Sequence, residues 1–265
     1  MAYISIKNVN KKFVTRKSEI YALKNINMEF NKGEFISLVG PSGCGKSTVI
    51  RLLDDILKPT SGEITVDGFT YNNKQEIPLE VNKKMGFVFQ VPNLYGWLTI
   101  RENLMLPLKV YGLKGPEYEK QVDDLLDYVG MREYSDAMPS EISGGMAQRI
   151  GVIRGMVHKP DIFMMDEPFG ALDDDTRETL NLELLEIWKK TGMTIIFITH
   201  NIEEAVLMSE RVYVMSSHPG MVKEELKIDF EGKERNLDLI SDSKFAEYCQ
   251  KIEGMIGNLN LDEIK

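Results

Sequence analysis

Phe35-Ile36-Ser37-Leu38-Val39-Gly40-Pro41-Ser42-Gly43-Cys44-Gly45-Lys46-Ser47-Thr48 is the stretch from which the fold can be read. Its first five residues form a short apolar run, the length of a buried strand, and Gly40 closes it. Gly40 to Ser47 then fits the pattern G-x-x-x-x-G-K-[ST]. Glycines let a backbone wrap closely around a polyphosphate, where a Cβ would collide or forbid the required dihedrals. Amide groups at the start of the following helix turn partial positive charge towards an anion. Lys46 is placed to reach β- and γ-phosphates, and the Ser47 hydroxyl to coordinate Mg2+. Val49, Ile50, Leu52, Leu53, Ile56 and Leu57 recur at helical spacing, so a helix is expected until Pro59 and Gly62 end it. Strand, loop and helix in this order are the context the pattern needs, and chance gives the pattern in only about one such chain in a hundred.

Working outward, short apolar runs alternate with helical patterns, which predicts an α/β fold with a largely parallel sheet. Ile162-Phe163-Met164-Met165 reads as a second buried strand, and Thr194 to Thr199 and Val212 to Met215 as two more. A helix is expected from about Asp174 to Lys190, with aspartates at its start and Lys189, Lys190 and Gly192 at its end. Residues 1–30 and 60–90 carry short β-like pieces, and residues about 100–158 read mostly as helix, so a helical insertion between core strands is expected. Near the end, Phe245, Tyr248, Cys249, Ile252, Met255, Ile256 and Leu259 share one helical face, as in a closing helix packed on the core.

Two further stretches carry chemistry. Asp166-Glu167 follows the strand Ile162 to Met165, at the carboxyl end where open α/β sheets bind ligands. Asp166 is thereby delivered to a Mg2+ sphere, and Glu167 can orient or deprotonate an attacking water. Ser143-Gly144-Gly145-Met146-Ala147-Gln148-Arg149 precedes that strand: Ser143 can cap a helix, and the glycines let backbone amides approach an anion.

These motifs, in this order and spacing, resemble the ATP-binding-cassette ATPases through at least residues 3–225. The family signature LSGGQ appears as Ile142-Ser143-Gly144-Gly145-Met146, the Q-loop glutamine as Gln90, the D-loop as Ala171-Leu172-Asp173, and the switch histidine as His200. The adenine-stacking aromatic aligns best with Phe13, with Tyr21 as competitor and core packing as the bland alternative. The resemblance implies a P-loop NTPase (RecA-like) core with an antiparallel β subdomain and a helical signature subdomain. It places the ATPase domain at residues 1–225, with the helical part at about 92–158, and a short C-terminal extension at 226–265. It also implies a head-to-tail dimer holding two MgATP molecules. Lys46, Ser47, Gln90, Asp166, Glu167 and His200 of one copy would meet each nucleotide, and Ser143 and Gly145 would come from the other. Gly144, Thr48 and Asp173 are carried over with those motifs. The implied partners are a separate membrane permease, for which Tyr95 and Trp97 are candidate contacts with plain packing as the alternative, and an extracytoplasmic solute-binding protein. That would put the chain on the cytoplasmic face of the membrane.

Pro168-Phe169-Gly170-Ala171-Leu172-Asp173, Met146, and Ser216-Ser217-His218-Pro219-Gly220 resemble the nitrate, sulfonate and taurine importers, although arginine is more usual at His218. Gly151 and Gly155 depart from the usual alanine, at up to ~1 kcal/mol each inside a helix. The alternative is a soluble cassette ATPase acting on nucleic acid or ribosomes, which more often carries tandem cassettes or a long coiled-coil insertion.

Composition bounds these readings. The 265 residues hold 32 basic against 41 acidic side chains, a net −9, so no general attraction to nucleic acid is expected. Cys44 and Cys249 make no disulfide framework. The sequence shows no secretory leader, and no apolar run approaches the ~18 residues of a membrane span.

Overall fold

A computed structural model of the chain describes residues 2–14, 18–170, 172–217 and 219–262. Ala171 of the D-loop reading and His218 lie outside the described residues. At the centre is β3 (Phe35–Val39), buried at all five positions, which is why its sequence does not alternate. It pairs in parallel with β8 (Thr194–Ile198) on one side and β9 (Arg211–Ser216) on the other. Beyond β8 lie β7 (Ile162–Asp166) and β6 (Met85–Val88), both parallel, and beyond β9 lies the antiparallel edge strand β10 (Met221–Lys227). A second, antiparallel sheet has the order β2 (Glu19–Phe30), β1 (Ile4–Val14), β4 (Ser61–Val66), β5 (Phe69–Tyr71). Strands β1 and β2 thus pair as one long bulged ribbon where short pieces were expected.

The two sheets close around α1 (Lys46–Leu53), whose Val49, Ile50, Leu52 and Leu53 join Ile6, Leu23, Leu38, Ile64, Met164 and Ile196 in one core. The other face of the large sheet is covered by α6 (Asp174–Thr191), α7 (Ile202–Met208) and α8 (Ser243–Asp262). In α8, Phe245, Cys249 and Ile252 enter this core and Tyr248, Met255 and Ile256 pack at its margin; the Leu259 side chain lies outside the described part. Among the described residues no helix is long and apolar enough to cross a membrane.

After the short α2 (Leu79–Asn82), helices α3 (Ile100–Val110), α4 (Pro116–Tyr128) and α5 (Gly144–Met156) have their own core of Ile100, Leu104, Leu108, Val122, Leu126, Ile150 and Ile153. A full capping box starts α3: Thr99 accepts from the Glu102 N–H, and Glu102 accepts from the Thr99 N–H. The glycines of α5 have a packing reason that sequence alone did not give. A Cβ at Gly155 would come 2.9 Å from Phe163, and a Cβ on β6 at Gly86 would come 2.3 Å from the Gly155 carbonyl. Helix and strand therefore meet backbone to backbone, and Gly151 likewise sits against Pro92.

The helix after the loop is shorter than its apolar spacing predicts. It stops at Leu53, with Asp54 as C-cap, and Asp55 turns left-handed at φ 56°. Ile56 is consequently exposed, and Leu57 returns its N–H to Arg51. Burial, with Asp55 adding repulsion, raises the Asp54 carboxyl to about 7. A carboxyl that is raised on folding binds its proton more tightly in the folded chain. Its effect on stability is therefore absent at pH 3 and grows unfavourable as pH climbs from about 4 to about 7. Asp54→Asn should accordingly melt at the wild-type temperature near pH 3 and several degrees higher at pH 8. Equal melting temperatures at both pH values would refute the buried charge.

Candidate functional site

The loop between β3 and α1 owes its path to glycine. Gly40, Gly43 and Gly45 all have positive φ, at 152°, 78° and 96°. A Cβ at Gly40 would lie 2.4 Å from the Met215 carbonyl and one at Gly45 2.5 Å from Leu23, whereas Gly43 faces open space. The loop is thus packed closely at Gly40 and Gly45 and exposed at Ser42 and Gly43. Lys46 is buried at 4% exposure, and its ammonium donates back to the carbonyls of Gly40 at 2.8 Å and Pro41 at 3.2 Å. The first N–H groups of α1, from Lys46 to Thr48, have no acceptor within the helix and face the loop end. Cys44 is fully buried, and burial raises its thiol, so the group stays protonated as a small packing residue.

Two carboxylates meet this loop from the next strand but one. Asp166, the last residue of β7 and 2% exposed, accepts a bond from Ser47 Oγ at 2.7 Å, and Arg51 stands 3.6 Å from its other oxygen. Glu167 follows with a left-handed φ of 49° and its N–H bonded to Ile198 across the sheet. That turn points its carboxylate away from the strand direction. Oε2 accepts from Gln90 Nε2 at 2.9 Å, and Oε1 lies 2.5 Å from His200 Nε2. Gln90 comes from the segment after β6, and His200 from the turn after β8, so three adjacent strands supply the three groups. They line an open cleft of about 510 Å³ together with Phe169, Arg177, Thr199 and Glu204.

The remaining residues singled out by sequence lie elsewhere. Ser143 caps α5, accepting from the Met146 N–H at 3.3 Å, and leaves Gly144 with no neighbour within 4 Å of a Cβ. Neither glycine nor Ser143 lines the cleft. Asp173 caps α6 through the Thr176 N–H at 3.0 Å, a bond that holds its carboxyl below the usual range. Phe13 is exposed on the β1–β2 ribbon with the Lys11 ammonium over its ring, so core packing is ruled out for it. Tyr21 is equally exposed, but it pairs opposite Lys12 on the other face of the ribbon, so the two rings cannot serve one ligand together. Arg51, Arg177 and Glu204 were not singled out from the sequence. The spacing Asn201-x-x-Glu204, a helix-start pattern, is the one signal that could have found any of them.

A family model described as ABC transporter matches residues 23–170. The chain belongs to the ABC transporter family. Among its relatives, a nitrate import ATP-binding protein of Synechocystis sp. is 38% identical, over 98% of this chain and 97% of that one. A taurine import ATP-binding protein of Jannaschia sp. is 37% identical, over 98% and 96%. An aliphatic sulfonates import ATP-binding protein of Bacillus cereus is 38% identical, over 83% of each chain. Among solved structures, an ATP-binding cassette in a dimeric post-hydrolysis state, bound to ADP and Pi, superposes with a TM-score of 0.77 at 34% identity. That match covers 85% of this chain and 99% of the other. The fold is therefore that of an ABC ATPase cassette, with the P-loop core expected from the sequence.

Proposed function

We propose that this chain is the ATP-hydrolysing subunit of an importer for a small solute of the nitrate, sulfonate or taurine kind, acting beneath a separate permease on the cytoplasmic face of a membrane. The observation that carries the reading is the carboxylate of Glu167, held between Gln90 and His200 beside the Ser47–Asp166 bond. Those residues suit a triphosphate. Lys46 can exchange its two loop carbonyls for phosphate oxygens, and the exposed Gly43 leaves the backbone accessible. Ser47, Asp166 and Gln90 offer the hard oxygen donors that Mg2+ prefers. When bound with the nucleotide, Mg2+ supplies charge neutralisation on the β- and γ-phosphates.

Both Glu167 oxygens are engaged in this structure. Each oxygen keeps a further lone pair for a water, and His200, exposed like Gln90, can turn towards a γ-phosphate and leave Oε1 clearer for it. Ser143 and Gly145, which do not line this cleft, fit a second copy's nucleotide, and Asp173 would lie beside them on the same interface. Phe13 is the candidate for adenine stacking. Tyr95, in edge contact at 5.2 Å with the exposed Trp97, lines the groove between helical subdomain and core where a permease helix would seat. Residues 1–225 form the ATPase unit in this reading, and 226–265 close it. A solute-binding protein would act through the permease. The import relatives favour this role over a nucleic-acid or ribosome ATPase.

Affinity purification of the tagged chain from gently solubilised native membranes tests the role. Recovery of a multi-spanning permease is expected. Ribosomal or nucleic-acid-binding partners, or none, would overturn the transport claim.

A further inference from the structure

Glu204 lies on the first turn of α7 at 8% exposure, and a carboxylate so buried is stable only where donors surround it. Thr199 Oγ1 donates to its Oε2 at 2.5 Å, Asn181 Nδ2 donates to its Oε1 at 3.2 Å, and Arg177 Nε stands 3.6 Å from that same Oε1. The Glu204 N–H donates to Asn201 Oδ1 at 3.1 Å, and the Asn201 N–H donates to Thr199 Oγ1 at 3.0 Å. Both residues flanking His200 are therefore fastened to Glu204.

Arg177, on the first turn of α6, makes its hydrogen bonds to the loop that follows Glu167 and to the start of its own helix, with Nε shared between that loop and Glu204. Nη2 donates to the Leu172 carbonyl at 2.7 Å, Nε to the Phe169 carbonyl at 3.4 Å, and Nη1 to Asp174 at 2.9 Å. Phe169 also accepts from the Leu172 N–H at 3.1 Å, so one guanidinium closes both ends of that short loop. Leu172 is in turn the side chain nearest to Gly145, 3.4 Å from where its Cβ would stand. Arg177, Thr199 and Glu204 line the same cleft as Glu167 and His200, yet none of the three bonds to the Glu167 carboxylate.

We propose that Glu204 and Arg177 are a positioning pair. They tie the turn bearing His200 to the loop between Glu167 and Asp173, so that engagement of His200 by nucleotide is passed to the surface which that loop offers a second copy, given the two-copy reading above. The physical basis is stiffness. A guanidinium is a planar fork that holds two carbonyls and the Asp174 carboxylate at once, and the 3.6 Å ion pair with the buried Glu204 adds an attraction that a neutral neighbour would not supply. A move of Thr199 or Asn201 with His200 must carry Glu204, and Arg177 then draws the Phe169 and Leu172 carbonyls with it.

Two conservative variants separate this from plain packing. Arg177→Lys keeps the charge near Glu204 but can serve only one carbonyl, and Glu204→Gln keeps size while removing the charge that faces Arg177. In each, kcat for ATP should fall about tenfold with KM within about twofold, and the double variant should be no slower than the slower single one. In a Glu167→Gln background, Glu204→Gln should leave nucleotide affinity unchanged but weaken ATP-induced dimerisation about tenfold by sedimentation. Thr199→Val, which removes only the hydroxyl between His200 and Glu204, should reproduce the kcat loss if either charged variant folds poorly. Wild-type kcat in the folded variants, losses that multiply in the double variant, or unaltered dimerisation would overturn the pairing. If Glu167→Gln alone stays monomeric with ATP, the two-copy reading has failed instead.

Discussion

Glu167→Gln is expected to lower kcat about a thousandfold, the scale of a lost general base, while ATP affinity stays within about threefold. The substitution keeps the side-chain length and the left-handed backbone at φ 49°, so the fold around it should not change. What it removes is one acceptor. The carboxylate takes bonds from Gln90 and His200 on separate oxygens, and an amide can accept on only one of them. A water placed there would meet an N–H donor in place of a base. ATP then binds without being consumed, and its γ-phosphate continues to bridge two copies. Gel filtration with ATP should show a dimer that persists, and wild-type protein should show it only transiently. A variant that remains monomeric, or that hydrolyses ATP within tenfold of wild type, would sink the assignment of Glu167.

Lys46→Ala should act at the other stage, weakening MgATP binding by about a hundredfold, which corresponds to one or two charge-assisted bonds. In the absence of nucleotide the ammonium is satisfied by the Gly40 and Pro41 carbonyls, and those bonds tighten the loop around it. Its removal therefore leaves two inward carbonyls without a donor as well as phosphates without a counter-charge. Titration calorimetry distinguishes the two stages. Lys46→Ala should lose the binding heat that Glu167→Gln retains. Unchanged affinity in Lys46→Ala would mean that the backbone cradle alone holds the phosphates.

The site was legible where its chemistry is local in the chain. The glycines, Lys46 and Ser47 are contiguous, and Asp166-Glu167 ends an apolar run that could only be a buried strand. Gln90 and His200 came from resemblance alone, because nothing in a lone glutamine or histidine announces that strand order will bring both onto one carboxylate. Arg177 and Glu204 were missed for the same reason: their partners are backbone carbonyls and residues from other elements. Even the helix-start spacing at Asn201 misleads, since Thr199 takes the Asn201 N–H and leaves the Glu204 carboxylate for Asn181 and Arg177. In the fold, periodicity gave α6 nearly to the residue, with Asp173 and Gly192 as caps. It failed at α1, where tertiary packing turns the chain at Asp55 against the apolar pattern. It also failed at β10, whose central Lys223, Glu224 and Glu225 face solvent on a sheet edge and carry no apolar alternation.

The meeting of Gly155 and Gly86 has a mechanical consequence. With no side chains between them, the C-terminal end of α5 has almost no play against β6, and Gln90 follows that strand directly. Its other end, where Ser143 stands, is about 18 Å away at 1.5 Å per residue. The helix is therefore a lever with its fulcrum on the sheet. A tilt of about 10° there would sweep Ser143 through about 3 Å, roughly the length of one hydrogen bond.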